Sequence, residues 1–156
     1  MKAAYLQTIS LVERLHRQCL EVVKAELDRR GIRDLNNIQA LILYNIGDEE
    51  LSVGELTHRG YYLGSNVSYN VKKMVENGYL NQERSPHDRR SFHVRASESG
   101  LEIFKAISTL FDAHAALISG GVVTDEDLRV TTATLHRLQL FWASPMPMGG
   151  INPAAQ

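Results

Sequence analysis

Apolar residues recur at intervals of three and four along most of this chain, a spacing that predicts amphipathic helices. Two such stretches lie before residue 48 and two lie after residue 97, with a different pattern between them. The predicted helices are residues 5–30 before Gly31, a helix opened by Asn36 or Asn37 and ended by Gly47, a helix after Ser97 that runs toward Gly120–Gly121, and a last helix capped by residues 124–127.

The region between these helices begins with the signature of a short helix. Ser52 can cap it and Glu55 stands three residues later, which is a capping box. Leu51 and Leu56 occupy the two positions that close a hydrophobic staple. The pattern predicts a helix that begins at about Ser52 and ends near residues 59–60.

A second short helix follows a long connection that carries two tyrosines. Val67, Val71 and the pair Met74/Val75 lie at helical intervals and mark its buried face, and Gly78 fits a left-handed stop. Two short helices joined in this way form a helix-turn-helix, whose second member enters the DNA major groove. The outward positions of the second helix should therefore read DNA.

A β-hairpin is predicted directly after the second short helix. Residues 79–84 and 91–96 read as strands that flank a turn containing proline and aspartate. Arg89 and Arg90 at the tip suit the narrow, electronegative minor groove, and Asp88 can hold one of them by a charge-assisted bond. A helix-turn-helix followed by such a hairpin predicts a winged helix that binds DNA.

Candidate DNA contacts follow from side-chain chemistry. Hydroxyls and amides can meet base edges or phosphates, whereas lysines mainly attract phosphate. The predicted contacts are Ser65, Asn66, Ser68, Tyr69, Asn70, Lys72 and Lys73 on the helix, with Arg84, His87, Asp88, Arg89, Arg90 and Ser91 on the hairpin. The alternative is a solvated helix face beside a hairpin whose arginines serve solubility.

Two short motifs carry a resemblance to a known family. Asp-Arg-Arg-Ser at 88–91 matches the wing motif of the MarR family of winged-helix transcription regulators. Ala-Ser-Glu-Ser-Gly at 96–100 is similar to that family's Leu-Thr-x-x-Gly, departs from it in the first two residues, and keeps a capping hydroxyl. The resemblance covers residues 5–143. Within the family, residues 60–70 are similar to regulators of L,D-transpeptidase genes and cell-wall remodelling.

The resemblance implies a function and partners. It implies a ligand-responsive homodimer that regulates transcription, often as a repressor, in the cytoplasm. The partners implied are double-stranded DNA with a pseudo-palindromic operator, a second copy of the chain, and a small aromatic effector. The effector candidates are Arg17, Cys19, Tyr44, Tyr61, Tyr62 and Phe104. For the aromatic residues, ordinary core packing remains the alternative.

Charge and composition agree with this interpretation. The net charge is −1, yet residues 59–95 hold seven Lys and Arg against three acids, which makes that segment +4 and the remainder −5. Such asymmetry points to a localised nucleic-acid face. We expect no membrane span, because no run of about 18 apolar residues occurs, and no signal peptide. The single cysteine fits a reducing compartment.

The flanking helices predict self-association. Their apolar content exceeds what one small winged helix needs to cover, so residues 5–30 and 97–143 are expected to pair with a second subunit; a monomeric bundle is the alternative. The predicted fold is mainly α with a small β-hairpin wing: a winged helix-turn-helix plus N- and C-terminal dimerisation helices. We expect one domain over residues 1–156, with DNA binding at about 35–96 and a tail at 144–156.

Other chemistries are weaker interpretations. Cys19 could sense oxidants, but it lies on the apolar stripe of the first helix, where a cysteine usually packs. The six histidines show no paired ligand spacing, so neither a metal nor a cofactor is expected. No nucleophile elbow or phosphate-binding loop points to an enzyme. A winged helix that binds proteins instead of DNA remains open.

Overall fold

The protein is described by a computed structural model over residues 1–60, 64–84 and 92–143. Its elements in chain order are α1 (Lys2–Arg29), α2 (Asn37–Ile46), β1 (Glu50–Ser52), α3 (Val53–Gly60), α4 (Gly64–Glu76), β2 (Leu80–Arg84), β3 (Phe92–Ala96), α5 (Glu98–Ile118) and α6 (Asp125–Ala143). The predicted mainly helical fold with a small wing is confirmed. The connection at 61–63, which holds Tyr61 and Tyr62, the wing tip at 85–91 and the tail at 144–156 lie outside the described residues.

The predicted helix signals are present as hydrogen bonds. Asn36 caps α2 with a complete capping box: its side chain accepts from the Gln39 backbone amide, and the Gln39 side chain accepts from the Asn36 backbone amide. At α3 the Ser52 side chain accepts from the Glu55 amide at 3.1 Å, while the Glu55 carboxylate accepts from the Ser52 amide at 2.7 Å. Both boxes satisfy amides that a helix start leaves without partners.

The sheet has three antiparallel strands, one more than the predicted hairpin. Its order is β1-β3-β2, and the hairpin register pairs Leu80 with Ala96 and Arg84 with Phe92. The added strand β1 pairs Leu51 with Val94. A three-residue strand is too short to produce a periodic pattern, so β1 could not be predicted from the spacing of apolar residues.

One hydrophobic core joins the helices to the sheet. Apolar residues from α1, α2, α3, α4, the hairpin and α5 are almost fully buried together. They include Val23, Ile42, Leu43, Ile46, Leu56, Val67, Met74, Leu80, Val94 and Ile107. This core holds α4 and the hairpin on one scaffold, because side chains of both contribute to it.

The chain forms two compact units, Met1–Asp112 and Ala113–Gln156. The first holds the core, the winged helix and α1. The second holds the last turns of α5 and all of α6, none of whose residues is buried. Across the described residues, no helix combines the length and apolar character needed to cross a membrane. The division into a DNA-binding region and dimerisation helices stays a prediction.

Candidate nucleic-acid interface

The outward face of α4 is polar and basic. Val67, Val71 and Met74 are buried, as the spacing predicted, and polar side chains on the other side of the helix face solvent. The side chain of the predicted contact Ser65 lies outside the described part of the structure. The exposed side chains are those of Asn66, Ser68, Tyr69, Lys72 and Lys73. Tyr69 is 63% exposed, although its ring is large and apolar. The face therefore offers donors, acceptors and two cations without any rearrangement of the core.

Asn70 does not share this face. Its side chain is only 8% exposed, and its amide Nδ2 donates to the Asn66 carbonyl at 2.8 Å. The predicted DNA contact at this position therefore does not fit, because a buried and already bonded amide cannot reach a base edge. The sequence held the signal: Val67, Asn70 and Met74 follow the i, i+3, i+7 spacing of a buried face.

A carboxylate that the sequence analysis left out lies beside the two lysines. Glu76 Oε2 accepts from Lys73 Nζ at 3.1 Å, and its other oxygen lies 4.0 Å from Lys72 Nζ. The hydrogen bond and charge of Glu76 raise the pKa of Lys73. All three side chains are close to half exposed or more, so water screens these pairs. Glu76 therefore holds the two lysines only weakly.

The turn between α4 and the hairpin is held by its own backbone. The Tyr79 amide donates to the Met74 carbonyl at 2.8 Å, and the Gly78 amide donates to the Val75 carbonyl at 3.1 Å. Gly78 has φ +80°, the left-handed conformation that this helix ending requires. The predicted stop at Gly78 is confirmed, and it sets where the hairpin begins.

Neighbouring segments hold the same turn from outside. The Tyr79 hydroxyl donates to Asp34 Oδ1 at 2.8 Å, and the side-chain amide Nδ2 of Asn77 donates to the Asp34 carbonyl at 2.8 Å. Burial, followed by the bond to Asp34, raises the pKa of Tyr79 to about 12. On the other side the Ser97 hydroxyl donates to the Gly78 carbonyl at 2.6 Å. These bonds fix the angle between α4 and the hairpin.

The hairpin extends past the core, and one of its faces continues the buried face of the sheet. Side chains alternate along a strand, so Gln82 and Arg84 share the face of buried Leu80, and on β3 Phe92 shares the face of buried Val94. The Arg84 guanidinium lies 5.7 Å from the centre of the Phe92 ring, within the range of a cation–π contact. Arg84 is thus oriented by the hairpin. His87, Asp88, Arg89, Arg90 and Ser91 lie outside the described residues.

Comparisons with known proteins agree with this geometry. Residues 35–100 match the family model described as a winged helix DNA-binding domain. The fold is similar to Streptococcus pneumoniae FabT in complex with DNA, with a TM-score of 0.71 at 18% identity over 89% of this chain and 97% of that one. It is also similar to a MarR protein from Peptoclostridium difficile, with a TM-score of 0.71 at 16% identity over 85% of this chain and 84% of that one.

A curated relative decides the family. The exopolysaccharide II synthesis transcriptional activator ExpG of Rhizobium meliloti is 34% identical over 145 residues, which are 93% of this chain and 75% of that protein. The chain belongs to the MarR family of winged-helix transcription regulators. The resemblance found in the sequence is confirmed, and this MarR protein is a DNA-binding transcription regulator.

Of the predicted effector residues, Arg17, Cys19, Tyr44 and Phe104 lie within the described part of the structure, and Tyr61 and Tyr62 lie outside it. Tyr44 packs edge-on against Phe111 with ring centres 5.2 Å apart, and Phe104 lies 6.1 Å from Tyr44. This cluster has the geometry of core packing. On α1, Arg17 is exposed and Cys19 is partly buried. No group of three or more His, Cys, Asp or Glu side chains that could hold a metal occurs within residues 1–60, 64–84 and 92–143.

Proposed function

We propose that this MarR protein binds an inverted-repeat operator as a homodimer, with α4 in the major groove and the hairpin tip in the adjacent minor groove. The observation that carries the proposal is the exposed polar and basic face of α4 beside a hairpin that runs past the core. A helix in the major groove reads base edges, while arginines in the narrow minor groove respond to its potential. Asn70 is left out of the proposed contacts because its side chain is buried.

Exposed apolar side chains on the terminal helices support the dimer. On α1 they form one set, Leu6, Leu11, Val12, Leu15 and Val22, each between 36% and 54% exposed. Toward the C-terminus they form a second set, Leu117, Ile118, Leu128, Val130, Leu135, Leu140, Phe141 and Trp142, each 36% exposed or more. Large apolar side chains exposed in such numbers on two helical segments are typical of a subunit interface, which buries them.

A two-fold dimer fixes the spacing of the DNA site. It presents two copies of α4 to successive major grooves on one side of the duplex, about 34 Å apart. The operator should therefore be an inverted repeat whose half-site centres lie about 10 base pairs apart. A single winged helix contacts few phosphates and few bases, so dimerisation also supplies the affinity and selectivity that regulation needs.

The interface is tested with arginine and lysine variants in a mobility-shift assay. The DNA fragments are those that the wild-type protein selects from the host genome. Replacing Arg89 and Arg90 by Ala should weaken binding to selected fragments by about 1–3 kcal/mol per lost groove contact. Replacing Lys72 or Lys73 should weaken binding to every DNA sequence alike. It should also reduce the steepness of log K plotted against log salt concentration by about one unit. Wild-type affinity in the arginine variant would contradict the wing assignment, and absence of any wild-type DNA binding would favour a protein-binding winged helix.

Two likenesses support a proposal about the target genes. The family resemblance at residues 60–70 points to cell-wall genes, and the relative ExpG is named for exopolysaccharide synthesis. We propose that this regulator acts in the cytoplasm, without catalysis, on genes for cell-envelope or surface polysaccharide. ExpG is named an activator, while the sequence analysis favoured repression. Transcript levels in a deletion strain decide: target transcripts rise if the protein represses and fall if it activates.

The proposed small aromatic effector has its own test. The ligand would bind near the Tyr44–Phe104 ring pair, and its binding would release DNA. Salicylate is a suitable probe because it is a small aromatic anion. If it acts there, it should lower operator affinity of the wild type and leave a Tyr44→Ala variant unresponsive. An equal response in both proteins would contradict this effector site.

A further inference from the structure

A groove separates α4 from the hairpin. It has a volume of about 510 Å³. One wall is the flank of α4 that carries Ser68 and Lys72, and the other is the hairpin face with Gln82 and Phe92. Its floor includes Val71 and the first turn of α3. This surface, the α4–hairpin groove, is formed entirely by described residues.

The lining has a consistent chemistry. Ser68 and Gln82 offer hydrogen-bond donors, Lys72 offers a cation, and Phe92 and Val71 offer apolar surface. The described residues that line the groove include no carboxylate, although Glu76 lies 4.0 Å from the Lys72 ammonium. Arg84 adds a second cation, because its guanidinium lies over the Phe92 ring at the outer end of the same wall. A strand of alternating phosphates and sugars matches this mixture of donors, cations and apolar surface.

The two walls also determine what must lie between them. If α4 enters the major groove and the hairpin tip enters the adjacent minor groove, one sugar-phosphate strand separates the two protein elements, because each DNA groove is bounded by the backbone strands. We propose that the α4–hairpin groove binds this DNA backbone strand. Lys72, Ser68 and Gln82 contact phosphate, and Phe92 packs against a deoxyribose. The inference rests on the proposed docking and adds Gln82 and Phe92 to the interface.

Gln82 provides a sharp test, because the next residue on the strand is a matched control. Gln82 faces the groove, whereas Asn81 is exposed on the opposite face of the same strand. Gln82→Glu and Asn81→Asp add the same charge one residue apart. Both positions are exposed, so the two variants should unfold at the same temperature as the wild type.

Binding is measured by fluorescence anisotropy on a mixed-sequence duplex of about 30 base pairs over a range of salt concentrations. Gln82→Glu should weaken binding about tenfold, because a carboxylate then faces phosphate, and Asn81→Asp should weaken it less than about twofold. Phe92→Ala should also weaken binding on every sequence, since it removes sugar packing and releases Arg84. As a second readout, single methylphosphonates on a selected fragment should lower wild-type affinity most at the phosphates between the two protected grooves.

The outcomes separate this inference from the proposed function. If wild-type protein binds DNA but Gln82→Glu and Asn81→Asp weaken binding equally, the groove does not hold the strand, while DNA binding stands. If methylphosphonates between the protected grooves leave affinity unchanged, the DNA backbone strand does not bind in the α4–hairpin groove. If the wild type binds neither duplex, the proposed docking fails and the inference fails with it.

Discussion

At the scale of single residues, Glu76 opposes the charge of the α4 lysines. Its carboxylate accepts from Lys73 at 3.1 Å and lies 4.0 Å from Lys72 on a surface that should face phosphate. We predict that Glu76→Gln tightens binding to every DNA sequence several-fold and steepens the salt slope by about one unit. Specificity should fall, because the gain is independent of sequence. Glu102→Gln, at an exposed position of α5, is the matched control, and equal effects from both variants would contradict the prediction.

Glu26 is a carboxylate that should make stability depend on pH. It is only 8% exposed and accepts from Arg29 and Arg30 at 2.6–2.8 Å. The hydrogen bond from Arg29 is the main cause that lowers its pKa from 4.5 to about 2, with a further contribution from Arg30. A lowered folded-state pKa means that ionised Glu26 stabilises the fold fully above about pH 4.5, and that this contribution is lost as pH falls toward 2.

The corresponding variant is Glu26→Gln. It should lower the free energy of unfolding by about 2 kcal/mol near neutral pH, and the difference from wild type should shrink at about pH 3. Urea unfolding of both proteins at neutral pH and at about pH 3 measures this difference in the free energy of unfolding. Asp28→Asn removes the exposed pair with Lys24 and should change stability by less than about 1 kcal/mol. A constant difference for Glu26→Gln at both pH values would show that its ionisation is not what stabilises the fold.

At the scale of elements, the start of α5 sets the turn that joins α4 to the wing. A Cβ at Gly100 would lie 2.2 Å from the Tyr79 carbonyl oxygen and 3.1 Å from Leu43 Cδ2. Backbone cannot yield as a flexible side chain can, so Gly100→Ala should lower stability by about 3 kcal/mol. Gly54→Ala in α3 meets only ordinary contact at 3.9 Å and should be neutral or slightly stabilising. Thermal unfolding separates them, and equal stability of the two variants would contradict this packing.

The elements were predictable where local chemistry determined them. Capping boxes and left-handed glycines depend on neighbouring residues, so the starts of α2 and α3 and the ends of α2 and α4 were correct. Features that depend on distant contacts were missed. β1 exists because it pairs with β3, and Asp34 holds Tyr79 from 45 positions away. The spacing of Asn70 predicted its burial, but its polar side chain led us to place it among the DNA contacts instead. Tertiary packing therefore determined what the sequence pattern could not.

At the scale of the whole molecule, the exposed apolar faces of α1 and α6 predict self-association. Leu135 lies among the exposed apolar residues of α6, and Ala133 is exposed on nearly the opposite side of that helix. We predict that Leu135→Asp, or Val12→Asp on α1, shifts the protein toward monomer at micromolar concentration in sedimentation experiments. Ala133→Asp adds the same charge and should leave the dimer intact. A wild-type protein that sediments as a monomer would contradict the dimer, as would variants that all behave alike.

The most direct test of the central claim is a hydroxyl-radical footprint on a fragment that the protein selects from its host genome. A dimer that places two copies of α4 in successive major grooves should protect a symmetric site, with half-site centres about 10 base pairs apart. The outer flanks should also be protected, where each wing reaches the minor groove. Protection of a single asymmetric half-site by a monomer would contradict the account.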